Sequence, residues 1–214
     1  MATVTQLAPR PTRSTFFTFK FALWLVLGLT TLFVFITSEV FLVADYPMYH
    51  RYRLQVIADR HLLIPHVICG TIALLSGPLQ FSSRFRLRHL KIHRILGRAY
   101  VVSVFIGAFT GIALAAGRPG LPGTTMQAVA WIVCTTAAFI TARNRQITQH
   151  RQWMARSYAV TFTFVSSRVL NLWPRYWSHL GDVFSAVGVI AFTLVSLLAV
   201  DLGLNWRELT TRRT

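Results

Sequence analysis

The chain is 214 residues long, 54% apolar and only 13% charged, with a formal net charge of +16. Its apolar runs are too long and too many for a soluble core, and its charge flanks them instead of forming a folded basic surface, which excludes a nucleic-acid-binding domain. Two cysteines, Cys69 and Cys134, both inside apolar runs, exclude a disulfide framework, and six carboxylates leave little material for paired-carboxylate chemistry.

Residues 1–16, with Pro9, Arg10, Pro11 and Arg13 and no apolar periodicity, read as a disordered tail. A bilayer span needs about 20 mostly apolar residues, and six runs follow that meet this need. The first, Phe19–Leu42, is longer than the ~7–15 residue core of a secretory signal and carries Glu39. The loop Asp45–Arg60 then spaces Tyr46, Tyr49 and Tyr52 three apart, as in a short interfacial helix with rings at headgroup depth.

Span two, His61–Phe81, carries His66 and ends at Gly77-Pro78-Leu79-Gln80-Phe81, where the proline frees a backbone carbonyl and is expected to kink the helix. Span three, Arg98–Gly117, contains Gly107-Ala108-Phe109-Thr110-Gly111, a small-xxx-small pattern that admits a neighbouring helix. The helix breakers of Gly117–Gly123 predict a tight turn into span four, Thr125–Thr141. Spans five and six are Ser157–Trp173, which holds Arg168, and Leu180–Leu202. The expected fold is all-α: one transmembrane domain over residues 17–204, a six-helix up-and-down bundle, and a short tail over 205–214.

Orientation follows from the basic residues at the span ends. Sixteen of the 22, among them Arg84, Arg86, Arg88, Lys91, Arg143 and Arg145, fall on one side when the six spans alternate. The positive-inside rule makes that side cytoplasmic and places both termini there. The bilayer itself, and anionic lipid headgroups in particular, are sufficient partners for this charge.

Two helix starts nearly repeat each other. His93-Arg94-x-x-Gly97-Arg98-x-Tyr100 leads into span three, and His150-Arg151-x-Trp153-Met154-x-Arg156-Ser157-Tyr158 into span five, with one extra residue in the gap. The pair sets two imidazoles and four guanidinium groups at one depth, fit for an anion, a lipid headgroup or a metal porphyrin, or for anchoring the helices at the interface. His93, His150, Arg94, Arg98, Arg151, Arg156, Tyr100 and Tyr158 are the candidate cofactor-binding residues. His93 and His150 are the metal ligands if haem is bound. Catalytic residues are not assigned.

A second candidate lies in the outer half of the bilayer, where Glu39, His66 and Arg168 are the ionisable groups deep within otherwise apolar stretches. Such groups are costly there and normally pair or face a cavity. A Glu39–Arg168 pair with His66 nearby is one reading, and snorkelling of Arg168 to the headgroups is the other.

His66, Gly77-Pro78-x-Gln80-Phe81 and the two His-Arg starts resemble, as a set, a family of integral-membrane proteins known as domain of unknown function 2306, over roughly Pro47 to Trp173. The resemblance implies a protein of the bacterial inner membrane and supplies no established activity. A looser likeness, carried by His93-Arg94-x-x-Gly97-Arg98, is to ferric reductases and transmembrane b-type cytochromes. It implies a redox component holding haem b, or a quinone, at the cytoplasmic histidines. The alternative is a non-enzymatic binder or transporter of lipids or small molecules, with Glu39, His66 and Arg168 lining its pocket.

Overall fold

The computed structural model describes residues 25–26, 28–33, 58–171 and 181–210, except for the side chains of 167–171, 181–185 and 207–210. No strand occurs among the described residues. From residue 58 onward the described residues form six helices: α1 (Arg60–Phe81), α2 (Ser83–Arg88), α3 (Leu90–Ala115), α4 (Leu121–Arg143), α5 (Ile147–Asn171) and α6 (Gly181–Thr210). Ahead of them, residues 28–33 are helical within the first expected span.

Burial is inverted relative to a water-soluble bundle. Leu75, Ile95, Phe109 and Val195 are more than 60% exposed, while Ala73, Thr135, Ser157 and Thr193 are fully buried. Lipid tails give apolar side chains no reason to hide, so helices in a bilayer turn small residues and hydroxyls towards one another and large aliphatics outward. Four helices, Arg60–Phe81, Leu90–Ala115, Leu121–Arg143 and Ala186–Trp206, are long and apolar enough to cross a membrane. The chain is therefore embedded in a membrane.

α1 lies along α3, α3 against α4, and α4 against both α5 and α6. α5 also packs on α6 and touches α1. At 25 residues α5 would span a bilayer, yet it is absent from the four most apolar helices. Its His-Arg start and Arg156 lower its hydropathy most, and Ser157, Thr161 and Thr163, all buried, turn further polar side chains towards other helices.

The connections follow from local chemistry. Ser82 caps α2, its hydroxyl accepting the Phe85 N–H at 3.2 Å. Gly117, at φ +71°, takes the left-handed conformation that closes α3. The turn is shorter than the run of helix breakers suggests, because α4 begins at Leu121 and Pro122 sits in its first turn, where its missing N–H costs nothing. Gly123 is thus helical. A Cβ there would lie 2.6 Å from the Ala186 carbonyl, so the glycine lets α6 cross the head of α4. Arg118 from this turn pairs with Asp59 beside the start of α1, fastening the two ends.

Candidate functional site

Three helices meet around a buried chain of hydroxyls whose direction can be worked out proton by proton. The Thr161 hydroxyl donates to the Ser157 carbonyl at 3.0 Å, which uses its one proton. Thr161 Oγ1 must then accept from both Trp131 Nε1 at 2.8 Å and the Tyr100 hydroxyl at 2.9 Å. Tyr100, its proton committed, accepts from Ser157 Oγ at 2.7 Å, and Ser157 in turn accepts from Thr135 at 2.7 Å. The chain runs one way, Thr135 to Ser157 to Tyr100 to Thr161, and joins α3, α4 and α5. Tyr100 is completely buried at its centre. Tyr100, a possible ligand contact on the sequence, is here a post between α3 and α5.

Tyr158 is likewise taken up by a helix. Pro78 has no N–H, so the Leu74 carbonyl one turn earlier loses its intrahelical donor. The Tyr158 hydroxyl donates to that carbonyl at 3.2 Å. Gly77 makes the approach possible, since a Cβ there would fall 1.9 Å from the Tyr158 ring. Phe81 packs edge-on against the same ring at 5.6 Å. The next polar residue, Gln80, is buried and donates from Nε2 to the His93 carbonyl at 3.1 Å, its amide lying over Gly97. The segment Gly77–Phe81 thus clasps Tyr158 of α5 on one side and the His93–Gly97 turn of α3 on the other.

Beside this clasp lie the two histidines. His150 Nδ1 is 2.8 Å from the Ala138 carbonyl, which can only accept, so Nδ1 carries a proton and donates it there. His93 Nδ1 is buried and makes no hydrogen bond. Arg94 follows it on α3, and α2, which carries Arg86, packs on α3. Arg86 was not among the residues singled out from the sequence. Its place in the motif-free stretch between two spans gave no sign that α2 would form and pack on α3.

The remaining arginines divide. Arg94, Arg98 and Arg151 are exposed at this end. Arg156 pairs through Nε with Asp201 of α6 at 2.7 Å, its guanidinium 4.8 Å above the Trp153 ring. Five residues past Arg151, it faces α6 while Arg151 faces outward.

In the other half, His66 is buried and its Nδ1 lies 3.0 Å from the Gly107 carbonyl and 3.3 Å from Thr110 Oγ1. Gly107 and Gly111 open α3 not to a helix backbone but to two rings: a Cβ would stand 3.3 Å from Trp131 at the first and 3.1 Å from His66 at the second. Phe164 stands 5.3 Å from His66 and 5.9 Å from Trp131, and a small cleft remains between Gly111, Thr124, Gln127 and Phe164. Gln127 closes it by donating to Thr163. Glu39 lies outside the described residues, as does the side chain of Arg168. No group of three or more potential metal ligands occurs among the described residues.

Residues 63–202 match the family model described as predicted membrane protein (DUF2306), which covers α1 to the end of the apolar part of α6. The chain belongs to this family. The match takes in the Gly77–Phe81 clasp, both His-Arg starts, the hydroxyl chain and the Arg156–Asp201 pair, and it leaves the first expected span outside. No curated protein and no solved structure matches the chain, so the likeness to ferric reductases rests on the one motif.

Proposed function

We propose that this DUF2306 protein is a component of the bacterial inner membrane that holds a redox group, haem b or a quinone, between His93 and His150. The observation that carries the reading is the state of the two rings. His150 gives its Nδ1 proton to a backbone carbonyl, the arrangement that orients ligating imidazoles and raises their basicity. His93 keeps a buried nitrogen without a hydrogen bond, which costs stability unless something binds it. When bound, either group supplies one-electron chemistry. Its surroundings would be held by Gln80, which secures the His93 turn, and by Tyr158 and Tyr100, which hold α5 relative to α1 and α3.

The membrane frame belongs to the same proposal. Six spans with both termini cytoplasmic put the His93/His150 site at the cytoplasmic face and the Asp59–Arg118 pair outside. Anionic headgroups then balance the exposed arginines.

Absorption of the purified full chain, together with solvent extraction of what it carries, tests the proposal. A Soret band, or a quinone recovered in stoichiometric amount, is expected. Protein that is colourless and free of quinone after expression in haem- and quinone-sufficient cells would overturn it. That result would favour a second reading, motivated by the cleft beside His66: a non-enzymatic binder of small molecules or lipids, with Glu39, His66 and Arg168 around an outer pocket.

A further inference from the structure

The cleft bounded by Gly107 and Gly111 on α3, Thr124 and Gln127 on α4 and Phe164 on α5 contains a polar atom that the described bundle leaves without a partner. Its identity follows from the hydrogen bonds around it. The Thr163 hydroxyl donates to the Val160 carbonyl at 2.6 Å, which uses its one proton, so Thr163 Oγ1 accepts from Gln127 Nε2. The amide therefore cannot be turned round, and Gln127 Oε1 is the atom left over. Gln127 is only 9% exposed, and no described residue donates to that oxygen. Trp131, on the same cleft, has spent its N–H on Thr161. A nearly buried amide oxygen calls for a donor.

The shape and depth of the cleft restrict what that donor can be. It encloses about 220 Å³ and is open along one side, but only a group about the size of one water molecule reaches its floor. Its walls are apolar: the rings of Trp131 and Phe164 stand 5.9 Å apart, and the two glycines add no side chain. Gly111 lies four residues before Ala115, the end of α3, and Gln127 six after Leu121, the start of α4. At the rise of a helix these are about 6 and 9 Å from the helix ends, the depth of the boundary between headgroups and acyl chains. A charged donor is costly there, whereas a hydroxyl is small and neutral.

We propose that this cleft binds a neutral amphiphile by its hydroxyl group, the O–H donating to Gln127 Oε1 and the apolar body running out through the open side into the leaflet. The inference rests on the second reading above, that the cleft takes a small molecule or lipid, and it adds the ligand class and the residue that recognises it. It does not depend on the redox reading. Water, the other occupant of the right size, is an outcome of the test.

The test uses the full chain in phosphatidylcholine nanodiscs and two photoreactive probes: octanol with a diazirine in its chain, and the methyl ether of the same molecule, which lacks the O–H. Adducts are located by peptide mass spectrometry as the probe concentration rises. Those at Phe109, on the lipid-facing side of α3, give the background. Saturable labelling around Trp131 and Phe164 is expected from the alcohol, with the ether about three- to tenfold weaker, the worth of one hydrogen bond. Gln127→Leu should bring the alcohol down to the level of the ether. If that variant fails to fold, the two probes compared on wild-type protein decide alone. Equal labelling of the cleft by both probes would overturn the proposal and leave the second reading standing, with a cleft that takes apolar molecules regardless of a donor. Labelling of the cleft by neither would remove both and leave water as the occupant. An alcohol preference that survives in Gln127→Leu would mean that another group recognises the hydroxyl, and the proposal falls.

Discussion

At the scale of single residues, Gly77, Pro78 and Tyr158 form one unit although 80 positions separate the last two in sequence. Pro78 breaks the α1 ladder, Tyr158 repairs it, and Gly77 clears the path. Tyr158→Phe leaves the Leu74 carbonyl unsatisfied in a place water does not reach, at a cost of about 1 kcal/mol. Gly77→Ala drives a methyl group into the Tyr158 ring, and overpacking of that kind costs about 1–3 kcal/mol. Because both act on the same contact, Gly77→Ala combined with Tyr158→Ala should cost clearly less than the two single changes added together. Thermal unfolding in detergent measures this, and strict additivity would show that the ring and the glycine are not in contact. The proline's freed carbonyl was readable from the sequence. Its donor was not, because nothing in a linear pattern says which hydroxyl from a distant helix will arrive at that height.

At the scale of helices, α5 is the element whose sequence was hardest to weigh. Its serines and threonines lower its hydropathy, and only the packed bundle shows that they face Tyr100, Trp131 and Thr135. A chain of hydroxyls running one way is cooperative, so breaking any link disturbs the others. Tyr100→Phe and Ser157→Ala should each cost about 1–2 kcal/mol, and the double variant little more than either. Phe109→Ala, on the lipid-facing side of α3 at 62% exposure, should leave the unfolding temperature nearly unchanged. A destabilisation at Phe109 as large as that at Tyr100 would mean that the inside and outside of the bundle have been confused. The glycine pair of α3 carries the same lesson. Gly107 and Gly111 signalled a close approach, but spacing alone does not tell a helix backbone from the rings of Trp131 and His66. The His-Arg repeat was legible as two matched helix starts. The different duties of Arg151 and Arg156 depend on Asp201, which arrives from α6.

For the molecule as a whole, membrane residence was plain from composition, and the exposed aliphatics agree with it. Sidedness comes from the distribution of arginine, and the proposed orientation puts Arg118 and Asp59 on the outer face, opposite the histidines. A cysteine introduced at Arg118 should therefore react with a membrane-impermeant maleimide added to intact spheroplasts, while one at Arg145 should react only after lysis. The reverse pattern would invert the molecule and move the His93/His150 site to the outer surface. The two native thiols, Cys69 and Cys134, are buried and give a low background.

The proposed function requires that His93 and His150 share one bound group. The direct measurement is the amount of haem or quinone that co-purifies with His93→Ala and His150→Ala, set against His61→Ala, an exposed histidine at the start of α1. Loss of the group from both of the first two variants, with the His61 variant retaining it in full, is the predicted result. Retention by all three, or equal loss from all three, would contradict it.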